Sequence, residues 1–113
     1  MIIIYNMHSI KPSKPYDIKV DRSSILGSPY YLKSEKDRNN ICNLYHEWFY
    51  KNVDAPGNER MTFKKELTRL IDIYLEHNKL NLFCWCAPKR CHAKTIRQYI
   101  LNKVTNKGII GDD

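Results

Sequence analysis

No apolar run in this sequence approaches the length of a membrane span; the opening Met1-Ile2-Ile3-Ile4-Tyr5 and the later Leu80-Asn81-Leu82-Phe83 are strand-sized. The opening also lacks the basic leader of a secretory signal. A cytoplasmic protein without membrane association is therefore expected. Internal repeats and low-complexity segments are absent, which excludes solenoids and fibrous arrays. There is no dense basic tract of the kind that arms nucleic-acid-binding tails. Carboxylates are scarce beside the motifs described below, with Asp21 the only nearby candidate for a general base. Cysteine is sparse too: four residues, at 42, 84, 86 and 91. Cys84 and Cys86 are too close along one strand to staple a fold, and a reducing compartment favours free thiols.

What remains is one small domain. The 113 residues suffice for a single core, and 42% hydrophobic with 27% charged residues is ordinary for a globular chain. Nineteen Lys and Arg against twelve Asp and Glu give a net charge of +7, a surplus that suits nucleotides, polyanions or phosphorylated ligands. The cations are spread along the chain, so a generally solvated basic surface is the plain alternative.

Periodicity orders the elements. Residues 1–7 read as a buried strand, 9–15 as a loop with two prolines, and 16–20 as a half-exposed strand. The polar, Gly-Pro-punctuated stretch 21–31 is long for a simple connection, and such loops are often functional. Ser34 with Asp37 forms a capping box for a helix over 35–51 whose inner face carries Ile41, Leu44, Tyr45, Trp48 and Phe49. A second helix is expected over 62–77, on Phe63, Leu67, Leu70, Ile71 and Tyr74. A strand follows over 80–86, then a helix over 92–104 on Ile96, Tyr99, Ile100 and Val104, with Gly108 to end it. Strands separated by helices predict an α/β class: a small, Rossmann-like, mostly parallel sheet flanked by about three helices. The domain is expected over 1–107, with 108–113 a flexible tail.

Chemistry concentrates in Cys84-Trp85-Cys86-Ala87-Pro88-Lys89-Arg90-Cys91-His92, a strand, tight basic loop and helix start in succession. Three readings compete. Cys84, Cys86, Cys91 and His92 supply the four soft or borderline ligands that zinc prefers, although all four fall within nine residues and adjacent Cys91 and His92 would have to converge. Cys84 and Arg90 stand as Cys-x5-Arg, the spacing of a phosphatase loop with a thiolate nucleophile, but Ala87-Pro88-Lys89 replaces the usual glycines. The third reading is anion or nucleotide binding. Pro88 stiffens the turn, Lys89 and Arg90 carry charge, and the free N–H groups near residues 91–94 face the ligand. His92 can then donate a hydrogen bond or act as an acid or base. Plain structural roles, with Cys84 and Cys86 as buried small residues and His92 as a helix cap, stand beside all three.

These residues resemble a family found in bacteria and phages, the domain of unknown function 4326. Its C-terminal signature, Cys-Trp-Cys-Ala-Pro-x-x-Cys-His-Ala, is matched by residues 84–93. Its first signature resembles Gly-Arg-x-Ser-x-Leu-Gly-Asn-Pro-Phe, aligned with Asp21 through Tyr30, and its helical Arg, Tyr and Trp fit Arg38, Tyr45 and Trp48. Two departures stand out: the family glycine is Asp21, and its Asn is Ser28. The Cys-His end is also similar to the domain of unknown function 488. The resemblance implies that the loop 22–29 and the loop 86–92 wall one pocket, as ligands sit at strand carboxyl ends in α/β sheets.

The expected function is binding of a nucleotide or nucleotide-derived phosphorylated small molecule. Arg22 and Arg90 would hold phosphates, and Ser23, Ser24 and Ser28 would supply hydroxyls. Gly27, Pro88, Lys89, Cys91 and His92 complete the expected site. Tyr30, Tyr45 or Trp48 would stack on a base, although helical spacing also suits Tyr45 and Trp48 to the core. The phage occurrence implied by the resemblance suggests sequestering of a host defence nucleotide, in the host cytoplasm. Two alternatives remain open: a nucleotide hydrolase or N-glycosidase using His92 or Cys86, and a basic nucleic-acid-binding module hinted at by Lys64, Lys65 and Arg69. No cofactor is expected. A chain this small is expected to self-associate into a homo-oligomer.

Overall fold

The computed structural model describes the backbone of residues 1–112 and the side chains of residues 1–105, Pro88 excepted in both. Three strands, β1 (Ile2–Asn6), β2 (Asp17–Lys19) and β3 (Leu80–Cys84), form one sheet in the order β1-β3-β2, with both pairings parallel. Ile4 and Ile18 both register on Leu82, so the centre of the sheet is an aliphatic row. Three α-helices accompany it: α1 (Arg38–Asp54), α2 (Met61–His77) and α3 (Ala93–Asp112). The protein is thus a small α/β fold with a parallel sheet, as the alternation of elements predicts.

The middle strand is buried along its whole length, which a strand paired on both edges and covered on both faces requires. Its one polar residue, Asn81, is buried and donates from Nδ2 to Asp17 Oδ1 at 2.8 Å, pinning the short β2 to β3. Met7 and Val20 extend the ladder by donating their N–H groups to the Cys84 and Phe83 carbonyls.

Several boundaries differ from the sequence expectation. The third strand ends at Cys84 and not at 86. The side-chain amide of Asn6, opposite Cys84 in register, donates to the Trp85 and Ala87 carbonyls at 3.1 and 2.8 Å, and so turns the chain out of the sheet. The capping box does not form. A 3-10 turn, Glu35–Asp37, leads into α1, and Ser34 Oγ meets the Asp37 carboxylate at 3.4 Å instead of a backbone N–H. The buried stripe of α1 is Cys42, Tyr45, Phe49 and Asn52, while Leu44 faces solvent. The apolar face is therefore rotated by about one residue from the expected one. Trp48 is half-buried and stands perpendicular to Phe63 with centroids 5.5 Å apart.

Helix α2 carries its expected core positions Phe63, Leu67 and Leu70, and closes at Asn78 in the left-handed conformation that commonly ends helices. Phe49 is the hub of the aromatic core, 5.4 Å from both Phe63 and Tyr99. Helix α3 continues to Asp112, so Gly108 does not stop it. The side chains from 106 onward, and with them the expected tail over 108–113, lie outside the described residues. Among the described residues, no helix is long and apolar enough to cross a membrane.

Candidate functional site

All three strands run the same way, so their carboxyl ends share one edge of the sheet. The connections after β2 and β3 rise there and meet the first turns of α1. Between them lies a half-open cavity of about 260 Å³, walled by Asp21, Arg22, Ser28, Tyr30, Tyr31 and Leu32 from one loop. Trp85, Cys86, Arg90, Cys91 and His92 come from the other loop, and Arg38, Ile41, Cys42 and Tyr45 from α1. The structure therefore brings Arg22, Ser28, Cys86, Arg90, Cys91 and His92 to one place. Ser23, Ser24, Gly27 and Lys89 are not on this wall. Pro88 lies outside the described residues.

Two side chains clamp the loop 21–32 in position. Tyr45 is fully buried and donates its hydroxyl to the Leu26 carbonyl at 2.7 Å. Burial pushes its phenol far above the ordinary range, so it stays a neutral donor. Tyr45 therefore serves as core and wall, the role its helical spacing also suits. Asp21, which occupies the family glycine position, accepts from Trp85 Nε1 at 3.0 Å with one oxygen and from the Ser23 N–H and hydroxyl with the other. This carboxylate latches the two loops together. Burial raises its pKa, but the hydrogen bonds from Ser23 and Trp85 outweigh burial and leave it below the ordinary carboxylate value. A general base needs a free, poised carboxylate, which Asp21 is not.

The serines and Gly27 act within their own loop. Ser24 Oγ accepts the Leu26 N–H at 3.0 Å, and Ser28 Oγ accepts the Tyr30 N–H at 3.1 Å. A Cβ on Gly27 would sit 2.2 Å from the Asp21 carbonyl oxygen, so this position is glycine for space. Of these residues only Ser28 reaches the cavity wall; the others hold the loop behind it.

The cysteines separate into two environments. Cys84 and Cys91 are both buried, with their sulfurs 3.2 Å apart. Cys86 is half-buried on the cavity wall beside Arg38. His92 turns away from all three: Nε2–H donates to the Val20 carbonyl, and the ring stands edge-on to Tyr45 with centroids 5.0 Å apart. The alternative metal tetrad is therefore not assembled. Among the described residues, no group of three or more His, Cys, Asp or Glu side chains is placed to hold an ion. The phosphatase-loop reading fails as well, because Cys84 is buried off the cavity wall while Arg90 donates to Asn39 and Asn43 of α1. Burial lowers the His92 pKa, against a smaller raising effect of its bond to Val20, so the ring is neutral with Nε2 already engaged. That leaves it poorly placed as a general acid.

The start of α3 is more occupied than expected. Lys94 and Thr95 donate their N–H groups to the Cys91 and His92 carbonyls, and the Ala93 N–H reaches the Cys91 sulfur. The guanidinium groups carry the positive character of the cavity instead. Arg38 pairs through two contacts with Glu35, at 2.6 and 2.9 Å, and reaches the Arg90 carbonyl at 3.0 Å. Arg38, then Lys89 at 3.3 Å, hold the exposed Glu35 carboxyl down to about 2. Arg22 lies 3.5 Å over the Tyr31 ring and makes a hydrogen bond to the Tyr30 carbonyl at 3.0 Å, leaving donors uncommitted. Sequence reasoning missed Asn6 and Tyr31 entirely. A polar residue ending a buried strand was the available signal for Asn6.

The expected basic stripe on α2 is largely engaged. Lys64 caps the Ala55 and Gly57 carbonyls, and Arg69 pairs with Glu66 at 2.8 Å. Lys89 lines a separate cleft with Lys94, Arg97 and the β1 isoleucines.

Fold and cavity together define a small α/β protein with an arginine- and aromatic-walled pocket at the carboxyl edge of a parallel sheet. The family model described as Domain of unknown function (DUF4326) matches residues 5–102, and the chain belongs to that family. No curated protein and no solved structure matches the chain.

Proposed function

We propose that this protein binds a small anionic ligand of the nucleotide class in the cavity between the loops 21–32 and 85–92. One observation carries the reading. Arg22, Arg38 and Arg90 stand on the same wall as Tyr30, Tyr31 and Trp85, while the one carboxylate among the described lining residues, Asp21, is tied to Trp85 and Ser23. Guanidinium groups recognise phosphate oxygens through paired donors, and aromatic faces accept a planar base. The position at strand carboxyl ends fits ligand sites in parallel α/β sheets. Binding without turnover is favoured, because both Asp21 oxygens and His92 Nε2 are committed to internal partners. A phage-borne protein of this kind would act by withholding a signalling nucleotide from host defence.

Calorimetric titration with ADP, ATP, cyclic nucleotides and ADP-ribose tests the proposal. A saturable heat that Arg22→Ala weakens at least tenfold, in a folded variant, is the expected result. No heat from any of these ligands with ligand-free protein would contradict it.

A further inference from the structure

We propose that Cys84 and Cys91 are a redox-modification site, a dithiol that a hydroperoxide converts to a disulfide within the cysteine loop. The proposal does not depend on what fills the cavity. Its basis is placement. Cys84 is the last residue of β3, Cys91 lies two residues before the start of α3, and their sulfurs lie 3.2 Å apart. A disulfide bond is about 2.05 Å long, so closure needs only an approach of about 1.2 Å. The two anchors are buried elements of the core, which holds the pair together while the loop between them remains short.

The pair is also chemically prepared. The Cys91 S–H donates to Cys84, whose sulfur further accepts the N–H groups of Cys86 and Ala87. That hydrogen bond from Cys91 is the main cause lowering Cys84, against burial, while it and burial push Cys91 up. Cys84 is therefore the more readily ionised sulfur of the two, with a thiol beside it. Cys91 forms part of the cavity wall and Cys84 lies directly behind it, so a peroxide-sized molecule in the cavity stands next to the pair.

The step balances. The Cys84 thiolate attacks one oxygen of hydrogen peroxide; an S–O bond forms, the O–O bond breaks and hydroxide leaves. Cys91 sulfur then attacks Cys84 sulfur; the S–S bond forms, the S–O bond breaks, and the departing oxygen leaves as water with the Cys91 proton. Peroxide is reduced by two electrons and the two sulfurs supply them. In a reducing compartment the resting state is the dithiol, and such a bridge is transient and sensing in character.

The test uses the full chain. The folded protein is treated with equimolar hydrogen peroxide, quenched with catalase, denatured, alkylated and digested with trypsin. Cleavage after Lys89 and Arg90 falls between the two cysteines, so the bridge joins two peptides. The expected result is that two of the four thiols escape alkylation, that the fragment containing Cys84 is linked to the one containing Cys91, and that dithiothreitol restores all four. Cys86→Ser keeps the link and Cys84→Ser abolishes it. Four alkylatable thiols after peroxide, oxidation confined to Cys86, or loss of the link in Cys86→Ser would each overturn the assignment. The wild-type and Cys86→Ser maps decide the matter even if Cys84→Ser fails to fold.

Discussion

Gly27, Asp21 and His92 each stand inside the loops expected to grip a ligand, and each works on the protein itself. The Gly27 backbone passes so close to the Asp21 carbonyl that a methyl group has no room. Gly27→Ala should cost about 1–3 kcal/mol in urea unfolding, the usual penalty for overpacking, and should distort the wall. Asp21 has a folded-state pKa below its ordinary 3.8. Its contribution to stability is therefore full above that value and is lost as pH falls through the lower folded one. Asp21→Asn should flatten that acid limb, which denaturation midpoints between pH 5 and 2.5 would show. His92, lowered from 6.5 mainly by burial, favours the folded state fully above that value and progressively less as pH falls below it. Its imidazole resonances should titrate with a midpoint below 6.5 in the folded protein. A normal titration there would show that the ring is not buried against Val20.

At the scale of elements, the central strand is the most constrained part of the molecule. Leu82 is fully buried between Ile4 and Ile18, so Leu82→Ala should cost about 2–5 kcal/mol by chemical denaturation. Element type and order were legible in the sequence because each element has a strong apolar period. Ends were less so, for a local reason each time. The strand over 80–86 stops at Cys84 because the Asn6 amide, distant in sequence, captures two carbonyls beyond it. The face of α1 turns by a residue because Tyr45 must reach the Leu26 carbonyl, a partner that periodicity cannot reveal. The cysteine loop stands out in the sequence, but the pairing of its side chains does not. The strand expected over 80–86 has ended before Cys86, and the sulfurs that come within 3.2 Å are those of Cys84 and Cys91.

For the whole molecule, the basic surplus and the pocket make separable predictions. On α2, Lys64 is tied to carbonyls and Arg69 to Glu66, which leaves fewer free cations there for a nucleic-acid backbone. A ligand held by two or three guanidinium groups should show a shallow salt dependence, whereas a nucleic-acid backbone neutralised by many cations would give a steep one. The pocket as a single wall, assembled from residues 21–32, 38–45 and 85–92, could not be read from any one motif, because Tyr45 and Asp21 join the segments through tertiary hydrogen bonds.

Native mass spectrometry of the freshly purified protein, before and after mild denaturation, addresses the central claim most directly. The account predicts a stoichiometric small molecule, released on denaturation and carrying phosphate and a planar base. A bare protein mass that also fails to shift with added nucleotides, or a stoichiometric metal in the ligand's place, would contradict it.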